Sequence, residues 1–597
     1  MNKKKEKVQQ VCSLMLLGIS SLVLFTNCIN KDYKFDQIDW TLGFGGDKLV
    51  FPANNSTSEI ILDDILKIEN SDIVSIQENG DYLLSKSAEN VDPISVSIDP
   101  ITTSSSIVQD DNYTIQLPEI IKPYAGKTID VSDYDISGYG EIAHFDYEYD
   151  APEAVMDLEY VDVMNNGTGC DFFVYLSLSQ SVVRFEYVDI YLPDFLQMTW
   201  ENSIEGGSFD ATSNILRLNN YQLGKDLELR FNITRIYKKH SSNVNYADFK
   251  NGHLTLKGTV FADAKIATVT VPDNMKISFS GNIGFEDMNI IRACGVFDPE
   301  IAMDDLGTVE INEIPDFLLD EKVVADLDNP QIWLMITSTM PLGGTLKGLI
   351  RSDTYPKGLV FDTPGRTIQI KGSPDGKTET KTYVLLCRHN PGVSTSEYQV
   401  IEDDNLSKLI NKMENGMNID FIATEIKAYQ DVCTVELGHE YYLTPQYSFN
   451  APLAFGPNAV IVYNDIFDGW NGDLEKVSFK KDSYVNFTAT AVNNIPADLE
   501  LDVYPVDAEG RKLEELTVEL VKKTALGSQG GAVESPLEIK IIDTTGNGLN
   551  KLDGISIALK ASSNEEIRGV TLNSRKQALI LKDAKIELIG KVIYDAN

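Results

Sequence analysis

Leu537-Glu538-Ile539-Lys540-Ile541 and Leu499-Glu500-Leu501-Asp502-Val503 alternate apolar and charged residues without a break. A period of two puts every second side chain on one face of an extended strand, so one face enters a core and the other meets water. Ile555, Ile557 and Leu559 repeat the pattern, as do Val174, Leu176 and Leu178, and nearly everything after residue 125 reads the same way. Buried parallel strands are apolar throughout, so clean alternation points to antiparallel sheets with one wet face. Turn-forming residues punctuate the runs at Asn79-Gly80, Asn165-Asn166-Gly167, Asn493-Asn494-Ile495-Pro496, Glu509-Gly510 and Asn547-Gly548.

The fold class that follows is mainly β, with several antiparallel β-sandwich (Ig-like) domains in tandem and few short helices. One helix is predicted from about Asp404, with Leu406, Leu409, Ile410 and Met413 on its apolar face and a stop at Gly416. A weaker helical pattern covers Ile61 to Ile68. The expected layout is a signal peptide over 1–27, a tether over 28–40 and a small N-terminal β unit over 41–125. β-Sandwiches over 126–240 and 241–352 follow, then a β-rich domain with one helix over 353–455 and a C-terminal sandwich over 456–597. Two short echoes suggest related modules. Glu159-Tyr160-Val161-Asp162 recurs as Glu186-Tyr187-Val188-Asp189, and Pro193-Asp194-Phe195-Leu196 recurs as Pro315-Asp316-Phe317-Leu318. The irregular spacing excludes a solenoid or propeller array.

The chain has 597 residues, 43% of them hydrophobic, and a formal charge of −39. That composition supports folded domains, and that charge repels nucleic-acid phosphates and anionic head groups. Cys170, Cys294, Cys387 and Cys433 lie far apart in sequence, so no zinc ribbon or C-x-x-C pair exists. They read as buried thiols, with a Cys387–Cys433 bridge as the alternative.

Chemical motifs are scarce. There is no G-x-S-x-G elbow, no H-E-x-x-H and no P-loop. The five histidines, His144, His240, His253, His389 and His439, show no metal-ligand spacing, so neither a metal nor a cofactor is expected. The loop Asn464 to Asp473 holds Trp470 between glycines and short polar residues. An exposed indole there stacks on a sugar face while Asp468, Asn471 and Asp473 bond its hydroxyls, or else Trp470 folds back as a core plug. Asp543-Thr544-Thr545-Gly546-Asn547-Gly548 resembles the start of a calcium loop, but Gly554 stands where the bidentate carboxylate belongs. A plain turn is the simpler reading.

The N-terminus has the parts of an export signal: lysines at 3, 4, 5 and 7, then an apolar run from Val11 to Phe25. That run is shorter than the ~20 residues a membrane-spanning helix needs. Leu24-Phe25-Thr26-Asn27-Cys28 resembles a lipobox, which makes Cys28 the candidate lipidation site. With Lys31-Asp32 close behind and an acidic β-rich body, the chain resembles Bacteroidetes surface lipoproteins. That resemblance implies an outer-membrane anchor through lipid and exposure to the cell exterior. Partners of that class are polysaccharides or other envelope proteins. The leading expectation is a non-catalytic binding or adhesion scaffold for glycan, host or envelope partners, with a fimbria-associated anchor or tip protein as one alternative; the abundance of carboxylates leaves as another a surface glycoside hydrolase with an unrecognised carboxylate pair. Bacteroidetes fimbrillins mature by cleavage after an N-terminal arginine, and this chain has none before Arg184.

Overall fold

The computed structural model describes residues 41–595 except 53–59, 67, 69–70, 72, 88–91, 104–105, 165–168, 179–181, 223–226, 240–243, 251, 302–305, 468–476 and 482. The protein is mainly β, built from antiparallel sheets in tandem sandwiches. Among the described residues the parallel ladder between Thr380–Cys387 and Tyr398–Glu402 is the exception. The α-helix Leu62–Leu66 is the one α-helix described.

The first body is a 16-stranded sheet formed almost wholly by residues between Ile101 and Phe297. The strand Tyr246–Lys250 bonds to both Val155–Val163 and His253–Thr270, so the sheet returns upon itself around one core. Phe145, Phe172 and Phe285 meet in that core, with ring centroids 4.9 Å and 4.7 Å apart in the two contacts with Phe285. The expected division near 240 falls inside this sheet. His253–Thr270 pairs along its length with Ser137–Asp150 and Val182–Tyr191, so residues on both sides of 240 share one ladder.

The middle body stacks a five-stranded sheet on a seven-stranded one. The burial of Gln331–Ser338 alternates residue by residue, as the period-two reading requires. Phe421 of the smaller sheet meets Tyr447 of the larger at 5.8 Å, across the core. The expected division near 352 falls in a hairpin, because Ser352 pairs with Tyr355. Leu406, Leu409, Ile410 and Met413 are buried as predicted. However, the segment makes a 3-10 turn over Leu406–Leu409 and not an α-helix. The Asn411 carbonyl accepts the Ala325 N–H at 2.9 Å, so it is drawn to a neighbouring segment and away from a helical ladder.

The last body pairs a seven-stranded and a four-stranded sheet around Phe479, Val503, Ile539, Ile541 and Ile555. Its longest strand, Ala578–Asp595, is bordered by the first described strand of the chain, Thr41–Pro52. The unit expected over 41–125 is therefore not a separate body. Thr41–Pro52 joins the last body, Tyr82–Ser87 pairs with Tyr441–Pro452 of the middle one, and Ser106–Gln116 pairs with Lys276–Phe285 of the first. Short isolated strands cannot bury their apolar faces alone, and these found cover on three different sheets.

All four cysteines beyond the N-terminal region are free thiols. Burial pushes Cys170 and Cys433 up to about 12 and Cys387 up to about 11, so they serve as small apolar residues. Cys433 lies on an edge strand of the first body, beside Gly295, while Cys387 lies in the middle body.

The suspected calcium loop is a turn. One Asp543 oxygen accepts the N–H groups of Thr545 and Gly546 at 2.9 and 2.7 Å, and the other accepts that of Leu549 at 3.0 Å. Gly546 has φ +86°, and a Cβ there would approach the Lys481 nitrogen to 2.7 Å. Burial alone would raise the Asp543 pKa, but the three N–H groups outweigh it and hold the carboxyl below its ordinary value. A depressed carboxylate stabilises the fold above the unfolded pKa, and that contribution is lost as pH falls through the folded value. Asp543→Ala is expected to cost ~2–3 kcal/mol near neutral pH in chemical denaturation of the C-terminal body, a difference that shrinks on acidification below about pH 4.

Candidate functional site

Four strands of the first body lie side by side: Ser137–Asp150, His253–Thr270, Val182–Tyr191 and Ile215–Asn219. Their registers align in rows. Glu141, Phe261, Tyr191 and Ile215 form one row; Tyr139, Asp263, Asp189 and Arg217 form the next; Ser137, Lys265, Tyr187 and Asn219 form the third. Directly opposed residues share a side of an antiparallel sheet, and every second residue returns to it, so all three rows lie on one face. The opposite face presents Val188, Ile190, Ala262, Ala264, Leu216 and Leu218, each at most 2% exposed. The three rows therefore form the outer face, above a packed core.

Aromatic rings dominate its surface. Tyr139 is 57% exposed, lies nearly parallel to Phe261 at 5.2 Å and meets Tyr191 edge-on at 5.8 Å. Tyr139 stands between Gly138 and Gly140, and both glycines are needed beneath it. A Cβ on Gly138 would lie 1.8 Å from the Tyr113 hydroxyl, and one on Gly140 would lie 2.1 Å from the same ring. Tyr113 thus tucks under the strand that raises Tyr139.

The charges are ordered. Arg217 Nε donates to Asp189 Oδ1 at 2.7 Å, and Nη2 donates to Oδ2, a bidentate pair. The Asp189 side chain is 4% exposed and that of Arg217 53%. The guanidinium also lies over the Tyr187 ring at 5.3 Å. Lys265 pairs with Glu186 at 3.0 Å and Asp135 at 3.5 Å, and His144 pairs with Glu141 at 3.0 Å. Asp263, at the centre of the face, is different: among the described residues it has neither a hydrogen-bond partner nor an ion pair. Burial and then the Asp189 charge push its carboxyl above the ordinary value, against a smaller opposing effect of Arg217. Burial and then Asp263 raise Tyr139 and Tyr187, while burial, then Asp189 and then Asp263 raise Tyr191.

The Glu-Tyr-Val-Asp echo takes on a structural meaning here. Tyr187 and Asp189 hold Arg217 from the adjacent strand. In the earlier copy, Tyr160 and Asp162 hold Arg235 from the adjacent strand, with Arg235 Nε 2.5 Å from Asp162 and its guanidinium 4.0 Å from the Tyr160 ring centre. Val161 and Val188 are both buried beneath. The second echo also repeats a shape. In each copy the N–H of the leucine bonds back to the proline carbonyl, and Phe195 and Phe317 are buried.

Of the residues expected from sequence to act, Cys28 lies outside the described residues, as do Trp470, Asp468, Asn471 and Asp473. The outer face draws its residues from positions 137–141, 187–191, 215–219 and 261–265, and no linear motif joins them. The only sequence signal of this face was the echo itself. Among the described residues no three His, Cys, Asp or Glu side chains gather in a way that could hold a metal ion.

No family model matches the chain, and no curated protein matches it in sequence. Among solved structures it is similar to a protein of Parabacteroides distasonis provisionally described as secreted, at 13% identity and a TM-score of 0.33, over 50% of this chain and 90% of that one. It is also similar to a mud crab dicistrovirus protein, at 14% identity and a TM-score of 0.13, over 44% of this chain and 91% of that one. A triple jelly-roll protein of an archaeal virus gives 8% identity and a TM-score of 0.12, over 78% of this chain and 95% of that one.

The Asp189–Arg217 pair is asymmetric in burial, and its two halves should fail unequally. Arg217→Met strands a buried carboxylate and is expected to cost ~3 kcal/mol. Asp189→Asn leaves a half-exposed guanidinium that water can solvate, and should cost clearly less. Denaturant unfolding of the two variants checks the order.

Proposed function

We propose that this protein is a lipid-anchored scaffold of the outer membrane, held through Cys28 and facing the cell exterior, that binds polysaccharide on the outer face around Tyr139. The single observation that carries this reading is an aromatic tier, exposed at Tyr139 and half-buried at Phe261 and Tyr191, set on paired strands beside polar groups. Sugar rings present one apolar face and a rim of hydroxyls. Tyr139, Phe261 and Tyr191 offer flat apolar area to the first, and Asp263 and Arg217 offer hydrogen bonds to the second. Because the rings stand on paired strands, little conformational entropy is lost when a ligand settles on them.

The geometry favours holding over cleaving. Hydrolysis by two carboxylates needs both groups free beside the scissile bond. Asp189 is closed off by Arg217 and buried, so Asp263 has no free carboxylate opposite it. The strong negative charge of the chain favours neutral or cationic polymers over acidic ones.

Two measurements test the reading. Cys28→Ser should move the protein from the membrane fraction to the soluble one and abolish labelling by a fatty-acid probe. Affinity electrophoresis of the ectodomain through a panel of polysaccharides should show retardation by at least one, and Tyr139→Ala should weaken it about tenfold, the value of one lost ring contact. Binding to no polysaccharide in a broad panel would sink the glycan assignment.

A further inference from the structure

The two copies of the Tyr-Val-Asp arrangement differ at one position, and the difference falls on Asp263. Asp162 in the first copy is opposed by Arg235 on one side and Arg292 on the other. Arg292 Nε lies 3.9 Å from its Oδ2, so the row reads Arg–Asp–Arg, two cations about one anion. Asp189 in the second copy is opposed by Arg217 on one side and Asp263 on the other. That row reads Arg–Asp–Asp. The place that holds a guanidinium in the first copy holds, in the second, a carboxylate with no partner among the described residues, ringed by Tyr139, Phe261, Tyr187 and Tyr191.

Such a position disfavours the free fold. An ionised carboxylate beside a buried one, with no donor of its own, gains nothing from folding that water does not already supply. Lys265 is two residues along the same strand but is turned to Glu186 and Asp135. Glu141, diagonally across, adds further negative charge. What would satisfy Asp263 is a cation from outside, and the surrounding ring faces attract cations too.

Resting on the polysaccharide reading above, we propose that the bound polymer carries free amino groups, and that a sugar ammonium seats over Asp263 in the place Arg292 occupies in the first copy. The aromatic tier takes the pyranose face while Asp263 takes the charge. A flat face of this kind suits a ring-bearing polymer better than a lone lysine side chain, which would leave Tyr139 and Phe261 uncovered.

Chitosan and chitin oligomers of equal length share a backbone and differ in bearing ammonium or acetamide, so they isolate the charge. Titration calorimetry of the ectodomain in mildly acidic, low-salt buffer should give at least tenfold tighter binding to the chitosan oligomer, weakening with added salt. Asp263→Asn should remove that preference while raising the thermal midpoint of the free protein, since an uncompensated charge is lost. Asp263→Arg should restore the Arg–Asp–Arg row and abolish chitosan binding in a folded protein. Equal binding of the two oligomers, or no effect of Asp263→Asn, overturns the ammonium assignment and leaves the polysaccharide reading standing. Binding of a neutral polysaccharide with none to chitosan has the same meaning. Binding of poly-lysine with no polysaccharide bound overturns both.

Discussion

The candidate binding face of this molecule depends throughout on cross-strand register. Backbone hydrogen bonds between antiparallel strands fix which residues stand opposite one another, and a slip of one residue would turn each side chain to the other face. Beyond the irregular start of their ladder, Val182–Tyr191 and His253–Thr270 hold that register by burying Val188, Ile190, Ala262 and Ala264. Once those four are inside, Asp189, Tyr191, Phe261 and Asp263 must lie on the opposite face of the sheet and in rows. The outer face is thus a by-product of core burial, held with the rigidity of the sheet and free of loop geometry.

The same ladders tie the chain together over long distances. The first described strand borders the last one, and the strands between Thr41 and Gln116 are shared among three bodies. Contacts so remote in sequence must wait for much of the chain to be present, which makes the fold slow to form. Once formed, it places both ends of the described chain in one sheet. A polar joint reinforces the seam between the middle and last bodies. Asp326 accepts from Arg388 at 3.2 Å and from the Asn458 N–H at 2.9 Å, and Asp328 accepts from Arg568 at 3.1 Å.

The repeated Tyr-Val-Asp arrangement shows how one structural device diverges. In both copies an arginine bridges a carboxylate and a ring, an arrangement that stabilises a strand pair by charge and by stacking. The first copy is closed by a second arginine and is complete within the chain. The second is left open at Asp263. That open position sits among one exposed ring, Tyr139, and three half-buried ones, Phe261, Tyr187 and Tyr191.

The alternation of Leu537 to Ile541 and Leu499 to Val503 by itself determined the class of fold, because period two is a local property that any strand with one wet face must show. The buried set Leu406, Leu409, Ile410 and Met413 was legible for the same reason, although its helical form was not, since the Asn411 carbonyl answers to a distant N–H. Cys28, the lack of catalytic motifs and the overall acidity were equally matters of sequence. The division into bodies was not, because pairing partners such as Thr41–Pro52 and Ala578–Asp595 are chosen by complementary edges that no local window contains. The candidate site was hidden for the same cause. Tyr139, Asp189, Arg217 and Asp263 are neighbours only across strands, and only the registered sheet reveals that three of the four charges and rings in that row have partners while Asp263 has none among the described residues.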